Sequence, residues 1–199
     1  MARQAADRQP APTALITGAS SGIGEALAGC FAAAGHDLVL VARRADLLEA
    51  LAQRLRQAHP VSVRVMAADL AVPGAAAGLA TQLRRKRVRV DVLVNSAGVL
   101  AQGDFSAMAL DRQAGMVDLN VAGLTAMLAA FAPAMHKRGR GRVLNRSLSA
   151  GAHAGGLRCH QGLRAVADRI VGRRVAGQWR DDHGAVPGYH RHADAAPGS

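Results

Sequence analysis

Thr17-Gly18-Ala19-Ser20-Ser21-Gly22-Ile23-Gly24 is preceded by the apolar run Ala14-Leu15-Ile16 and followed by the helical pattern Glu25-Ala26-Leu27-Ala28. That order is strand, glycine turn, helix, the setting in which a glycine motif carries weight. Gly18 suits the positive φ of a tight turn off a strand end. Gly22 and Gly24 lack a Cβ, so a diphosphate can approach the backbone and the helix can pack close to the strand. The N–H groups of the helix's first turn then face an anion, with the helix dipole behind them. Ser20 and Ser21 add hydroxyl donors beside Ile23. The spacing is G-x-x-x-G-x-G. An ordinary strand-to-helix turn is the competing explanation, and the rest of the chain decides between them.

Outward from this turn, strands and helices alternate. Strand one is expected at Thr13–Thr17 and helix one at 22–34, stopped by Gly35. Asp37–Ala42 reads as a strand, with Leu38, Val39, Leu40 and Val41 unbroken, as in a strand buried on both faces. Helix two, Ala45–Ala58, sets Leu47, Leu48, Leu51 and Leu55 on one face. Strand three is expected at 61–66, an alanine-rich helix at 74–85, and strand four at 90–95. A single long helix follows over 110–137, closed by Gly139 and Gly141, and then strand five, Arg142–Asn145. Such alternation implies parallel β-α-β units, an α/β chain with a doubly wound, Rossmann-like parallel sheet. Ligands of these sheets lie beyond the C-terminal strand ends. Gly18–Gly24, Arg43, Asp69, Asn95 and Asn145 all fall there.

The 199 residues suit one domain with a substantial core. Three segments are expected: a disordered lead over 1–12, a nucleotide-binding domain over 13–156, and an irregular tail over 157–199. Phe31, Phe105, Phe131, Trp179 and Tyr189 are the aromatic residues, so the core rests on Ala, Val and Leu. No unbroken apolar run reaches the ~18 residues of a membrane span. Met1–Pro10 is polar and mixed in charge, unlike a secretory signal. Cys30 and Cys159 are far apart in the sequence with no metal-type spacing, which suits a reduced, cytoplasmic chain. His190-Arg191-His192 has no further ligand cluster, so no metal is expected.

The net charge of +11 raises the question of a polyanion partner. Arg84, Arg85, Lys86, Arg87 and Arg89 form one basic cluster, and Lys137, Arg138, Arg140 and Arg142 another. Both fall in turns before strands, without interleaved aromatics for base stacking. The expectation is solvated turns, no nucleic-acid partner and no membrane, with a polyanion site as the alternative.

Several motifs in order make the chain resemble the short-chain dehydrogenase/reductase family over roughly 13–145. Thr17–Gly24 matches its T-G-x-x-x-G-I-G. Ala68-Asp69-Leu70 matches its D-[LV] element, whose aspartate holds the adenine amino group. Asn95-Ser96-Ala97-Gly98 resembles its N-N-A-G, with serine as the second residue. Asp118-Leu119-Asn120-Val121 resembles the segment with its active-site asparagine. Gly141–Asn145 resembles the strand before its catalytic serine. The resemblance implies hydride transfer to or from a small carbonyl or alcohol substrate, with a nicotinamide dinucleotide as cofactor. Cofactor contacts are then expected from Gly18, Ser20, Ser21, Gly22, Ile23, Gly24, Arg43, Arg44, Asp69, Leu70, Asn95, Ala97 and Gly98. Arg43 and Arg44 follow strand two, where an acid would favour NAD. Arginine there suits the 2′-phosphate of NADP.

The catalytic half departs from the family. Asn120 is present as the asparagine. The serine falls by resemblance at Leu148, leaving Ser147 as the candidate with Ser149 beside it. The required Y-x-x-x-K is missing: Tyr189 is the one tyrosine, and Lys86 and Lys137 are the lysines. Two readings follow, an oxidoreductase by type that is inactive as written, or a non-catalytic nucleotide-binding remnant or interaction protein. The family's usual homo-oligomer, and good solubility, are not expected of such a chain. A shift of reading frame is expected to account for the tail. Read one nucleotide forward, the codons of Leu157-Arg158 permit tyrosine and those of Gln161-Gly162 require lysine or arginine. That restores Y-x-x-x-K, and the slip would lie between Asn145 and Leu157.

Overall fold

The computed structural model describes residues 11–100 and 105–146. The expectations of a disordered lead and of an irregular tail lie outside the described residues, except that the Pro12 carbonyl accepts the Asp37 N–H at 3.0 Å. The strands are β1 (Thr13–Thr17), β2 (Asp37–Ala42), β3 (Val63–Ala67), β4 (Val92–Asn95) and β5 (Arg142–Asn145). The helices are α1 (Gly22–Ala33), α2 (Ala45–Ala58), α3 (Ala75–Arg85), α4 (Leu110–Val117) and α5 (Leu124–Lys137). All strand pairs are parallel, in the order β3-β2-β1-β4-β5. The order reverses beside β1, where a crevice opens at the C-terminal strand ends.

The unbroken apolar strands follow from cover on both faces. Along β1, Ala14 and Ile16 face α1 and α2, packing with Leu27, Phe31, Leu48 and Leu51. Leu15 points the other way, into the layer of Leu79, Leu83, Met127, Phe131 and Met135 from α3 and α5. The side-chain period of two thus feeds two separate cores from one strand.

Three elements differ from expectation by more than one residue at an end or in their internal geometry. β3 begins at Val63, because the Ser62 N–H is taken by the Asp37 carboxylate at 2.8 Å. β4 begins at Val92, because Asp91 binds the Thr13 N–H through its carboxylate at 3.1 Å and pairs with Arg89. The helix expected over 110–137 is continuous, but Asp118–Gly123 is a π-helical turn between α4 and α5. A further 3-10 turn spans Phe105–Ala107. The whole helix, Leu110–Lys137, is long and apolar enough by length and composition to cross a membrane. Asp111, Arg112 and Asp118 break it as an apolar run but not as an average. Met127, Phe131 and Met135 of this helix are buried against the sheet, while Leu110, Val117 and Val121 are exposed and 17% of the apolar stretch is buried.

Candidate functional site

A cleft of about 410 Å³ lies at the C-terminal ends of β1 to β4. Its floor is the turn between β1 and α1. Gly18 has φ +66°, and a Cβ there would come within 2.8 Å of the Ala97 and Ser96 backbone. The Thr17 hydroxyl holds the two strands in that contact: it accepts the Ser96 and Ala97 N–H groups, each at 3.0 Å, and donates to the Val94 carbonyl at 3.4 Å. A Cβ on Gly24 would overlap the Gly18 carbonyl, so α1 leaves the turn at contact distance only because that residue is glycine.

Gly22 differs. Its φ is +60°, and nothing lies within 4 Å of where its Cβ would stand. That open space is on the cleft wall with Ser20, Ser21 and Ile23. Ser21 occupies the N-cap of α1 in extended conformation, yet makes no side-chain cap hydrogen bond. The first-turn N–H groups of α1 therefore face the cleft without a side-chain acceptor. An anionic group approaching Gly22 would meet those donors and the positive end of the helix dipole. The residues present thus fit the diphosphate of a dinucleotide.

The β2 and β3 ends form the next wall. Arg43 and Arg44 are exposed there. The Arg44 guanidinium donates at the long distances of 3.4 Å and 3.5 Å to the hydroxyls of Ser20 and Ser21. Asp69 also lines the cleft, and its Oδ1 accepts the Ala71 N–H at 3.0 Å. Leu70 is buried, and its carbonyl lies against Gly123.

On the β4 side, Ala97, Gly98 and Val99 line the cleft. Asn120, within the π-helical turn, accepts the Val99 N–H at 3.0 Å and donates to the Val99 carbonyl at 2.8 Å. Asn120 thus stands behind the cleft wall and holds it. Asn95 also stands off the wall: it is buried, and its Nδ2 donates to Asn145 Oδ1 at 2.9 Å. Its own Oδ1 has no partner among the described residues. Ser147 lies outside the described residues. Arg146 does line the cleft, and its N–H donates to the Asn95 carbonyl at 2.9 Å. Arg146 was not among the expected cleft residues, although its place just past a strand end is the signal that singles out the others. Lys86 and Lys137, the chain's lysines, close α3 and α5 at the opposite edge of the sheet.

The short chain dehydrogenase family model matches residues 12–159. The chain is similar to dehydrogenase/reductase SDR family member 7B of Bos taurus, 38% identical over 135 residues, which cover 65% of this chain and 42% of that protein. Among solved structures, it is similar to a short-chain dehydrogenase from Sphingobium yanoikuyae in complex with NADPH. That match has 39% identity and a TM-score of 0.65, covering 80% of this chain and 63% of the other. A metagenomic short-chain oxidoreductase in complex with NADP matches at 27% identity and a TM-score of 0.72, covering 82% of this chain and 91% of the other. The chain spans about half the length of the curated relatives it matches.

Proposed function

This chain belongs to the short chain dehydrogenase family, and on that premise we propose that its cleft binds NADP as an oxidoreductase of that type. The open cradle over Gly22, facing an uncapped α1, is the observation that carries the reading. The α1 N-terminus and Gly22 hold the diphosphate. Arg43 and Arg44 hold the 2′-phosphate, which a guanidinium meets with two N–H donors. Asp69 takes the adenine amino group, beside Leu70. Asn120 holds Val99, and with it the Ala97-Gly98 segment of the cleft wall that would contact the cofactor. The NADP-bound and NADPH-bound relatives support this choice. When bound, the nicotinamide supplies or takes the hydride. The substrate class is a small carbonyl or alcohol.

Proton transfer is where the chain falls short. Reduction of a carbonyl needs a general acid in reach of the forming alkoxide. Lys86 and Lys137 are at the far edge of the sheet, and no Y-x-x-x-K is written in the chain. The chain as written binds cofactor without turnover, and the displaced reading frame after Asn145 accounts for the loss.

Calorimetric titration tests the binding. A charge-assisted contact of roughly 1.5–3 kcal/mol gives NADP an advantage over NAD of about 10- to 100-fold. Arg43→Ala removes most of it. Equal affinities for the two cofactors would overturn the assignment. NADPH oxidation with a panel of aldehydes and ketones is expected at background for this chain and above background once the frame is restored. Turnover by the chain as written, or a forward frame without a tyrosine codon at 157 and a lysine codon at 161, would sink the second part.

A further inference from the structure

The two basic clusters, far apart in sequence, meet in space. α3 and α5 pack side by side and end at the same edge of the sheet, opposite the cleft. α3 delivers Arg84, Arg85, Lys86, Arg87 and then Arg89 to that edge. α5 delivers Lys137, Arg138, Arg140 and Arg142. The junction is close: Arg138 donates to the Val90 carbonyl at 2.9 Å, and the Arg142 N–H donates to the Asp91 carbonyl at 3.0 Å. Burial, and then repulsion from Arg89 and Arg140 against the pull of Asp91, hold the Arg138 pKa below arginine's ordinary value. Asp91 is already engaged by Arg89 at 2.9 Å and by the Thr13 N–H.

Arg87 supplies an independent observation. Three of the described helices end in the same motif, with paired N–H bonds back into the last turn. After α1 these are Gly35 to Ala32 and His36 to Phe31; after α5, Gly139 to His136 and Arg140 to Met135. After α3 they are Arg87 to Arg84 and Val88 to Leu83. The motif needs a left-handed residue, for which glycine is suited. Gly35 has φ +77° and Gly139 has φ +65°, but at the third site an arginine is held at φ +53°. A strained backbone position occupied by a charge, in the middle of a charged edge, points to a use for the charge. Helix-dipole compensation is already provided by Arg84 and Arg85 in the last turn of α3.

We propose that this edge binds the phosphate backbone of a nucleic-acid duplex. Neither segment contains an aromatic residue for stacking on unpaired bases. Among the described residues, the exposed large apolar side chains are Leu47, Val72, Leu100, Leu110, Val117 and Val121. They belong to other parts of the surface, so the basic segments offer none to enter a bilayer. Regularly spaced phosphates on a stiff rod suit a row of guanidinium groups on two helix ends. The cofactor cleft, at the opposite strand ends, stays open.

The test is anisotropy of a labelled random-sequence DNA duplex titrated with the full chain. Affinity should fall about a thousandfold between about 50 and about 200 mM salt, the dependence of some six phosphate contacts. Replacing Arg85, Lys86 and Arg140 together with Gln should flatten the salt slope by about one for each phosphate no longer neutralised. Arg87→Gly separates charge from structure: the melting temperature should rise as strain is relieved, while duplex affinity falls. A raised melting temperature with unchanged duplex affinity would overturn the proposal. So would salt-independent binding, no binding, or binding to phosphatidylserine vesicles in place of the duplex.

Discussion

Gly18 and Gly22 carry the same kind of backbone and do different work. At Gly18 the place of the missing Cβ is taken by the Ser96 and Ala97 backbone just past β4, 2.8 Å away. Gly18→Ala therefore combines overpacking with a strained φ, each costing about 1–2 kcal/mol, and a thermal melt should show a large loss. At Gly22 the space is empty. Gly22→Ala should cost about 1 kcal/mol of stability for its φ but fill the place assigned to the diphosphate. Calorimetry should show NADP affinity falling more than the melt does. His36 is a third case. It is 5% exposed and meets Phe31 edge-on at 5.2 Å. Burial lowers its pKa below 6.5, with Arg142 adding to the shift and the Ala34 backbone and Asp91 opposing it. The unfolded chain then takes up the proton at higher pH than the folded one. The stability His36 contributes is complete above pH 6.5 and is lost as pH falls from there through the lowered folded value. Urea melts across that window should show the decline, and His36→Gln should reduce it.

At the scale of elements, the π-helical turn links the cleft to the long helix. An ordinary helix would set its side chains at a steady angle. The wider turn brings Asn120 to Val99 and sets Gly123 against the Leu70 carbonyl, where a Cβ would come to 2.5 Å. The turn therefore touches both the β3 and the β4 walls. Asn120→Ala leaves the Val99 N–H and carbonyl without their partner, a loss of about 1–3 kcal/mol. Hydrogen exchange at Val99 should quicken and NADP affinity should drop, while amides in β1 and β2 stay protected. Unchanged exchange at Val99 would show that the clamp does not hold the segment.

The whole molecule has two ends of different chemistry. One end of the sheet is the cleft, with glycine backbone and Arg43 and Arg44. The other collects most of the excess behind the net charge of +11. Like charges gathered on one edge repel, and salt screens that repulsion within about 10 Å at 0.1 M. The melting temperature should therefore rise with sodium chloride, and the triple Gln variant should show a smaller rise. A salt-independent melt would mean that the edge is already neutralised within the protein.

The chain's own order of residues determined much of this. Continuous Leu38–Val41 and the periodic Leu48, Leu51 and Leu55 are local signals, because burial on two faces or on one stripe leaves its mark within a few residues. Thr17–Gly24, Arg43 and Asp69 were legible for the same reason: each follows a strand whose end the sequence marks. Strand boundaries were less so, since Asp37 and Asp91 cap their neighbours across the sheet from far along the chain. The π-helical turn was invisible, because it answers to Leu70 and Val99 and not to any local pattern. Arg146 entered the cleft, and Asn95 turned from it toward Asn145, through packing between β4 and β5. The basic clusters read as separate solvated turns. That α3 and α5 end on one edge follows from right-handed crossovers onto adjacent strands, and only the tertiary structure could join them.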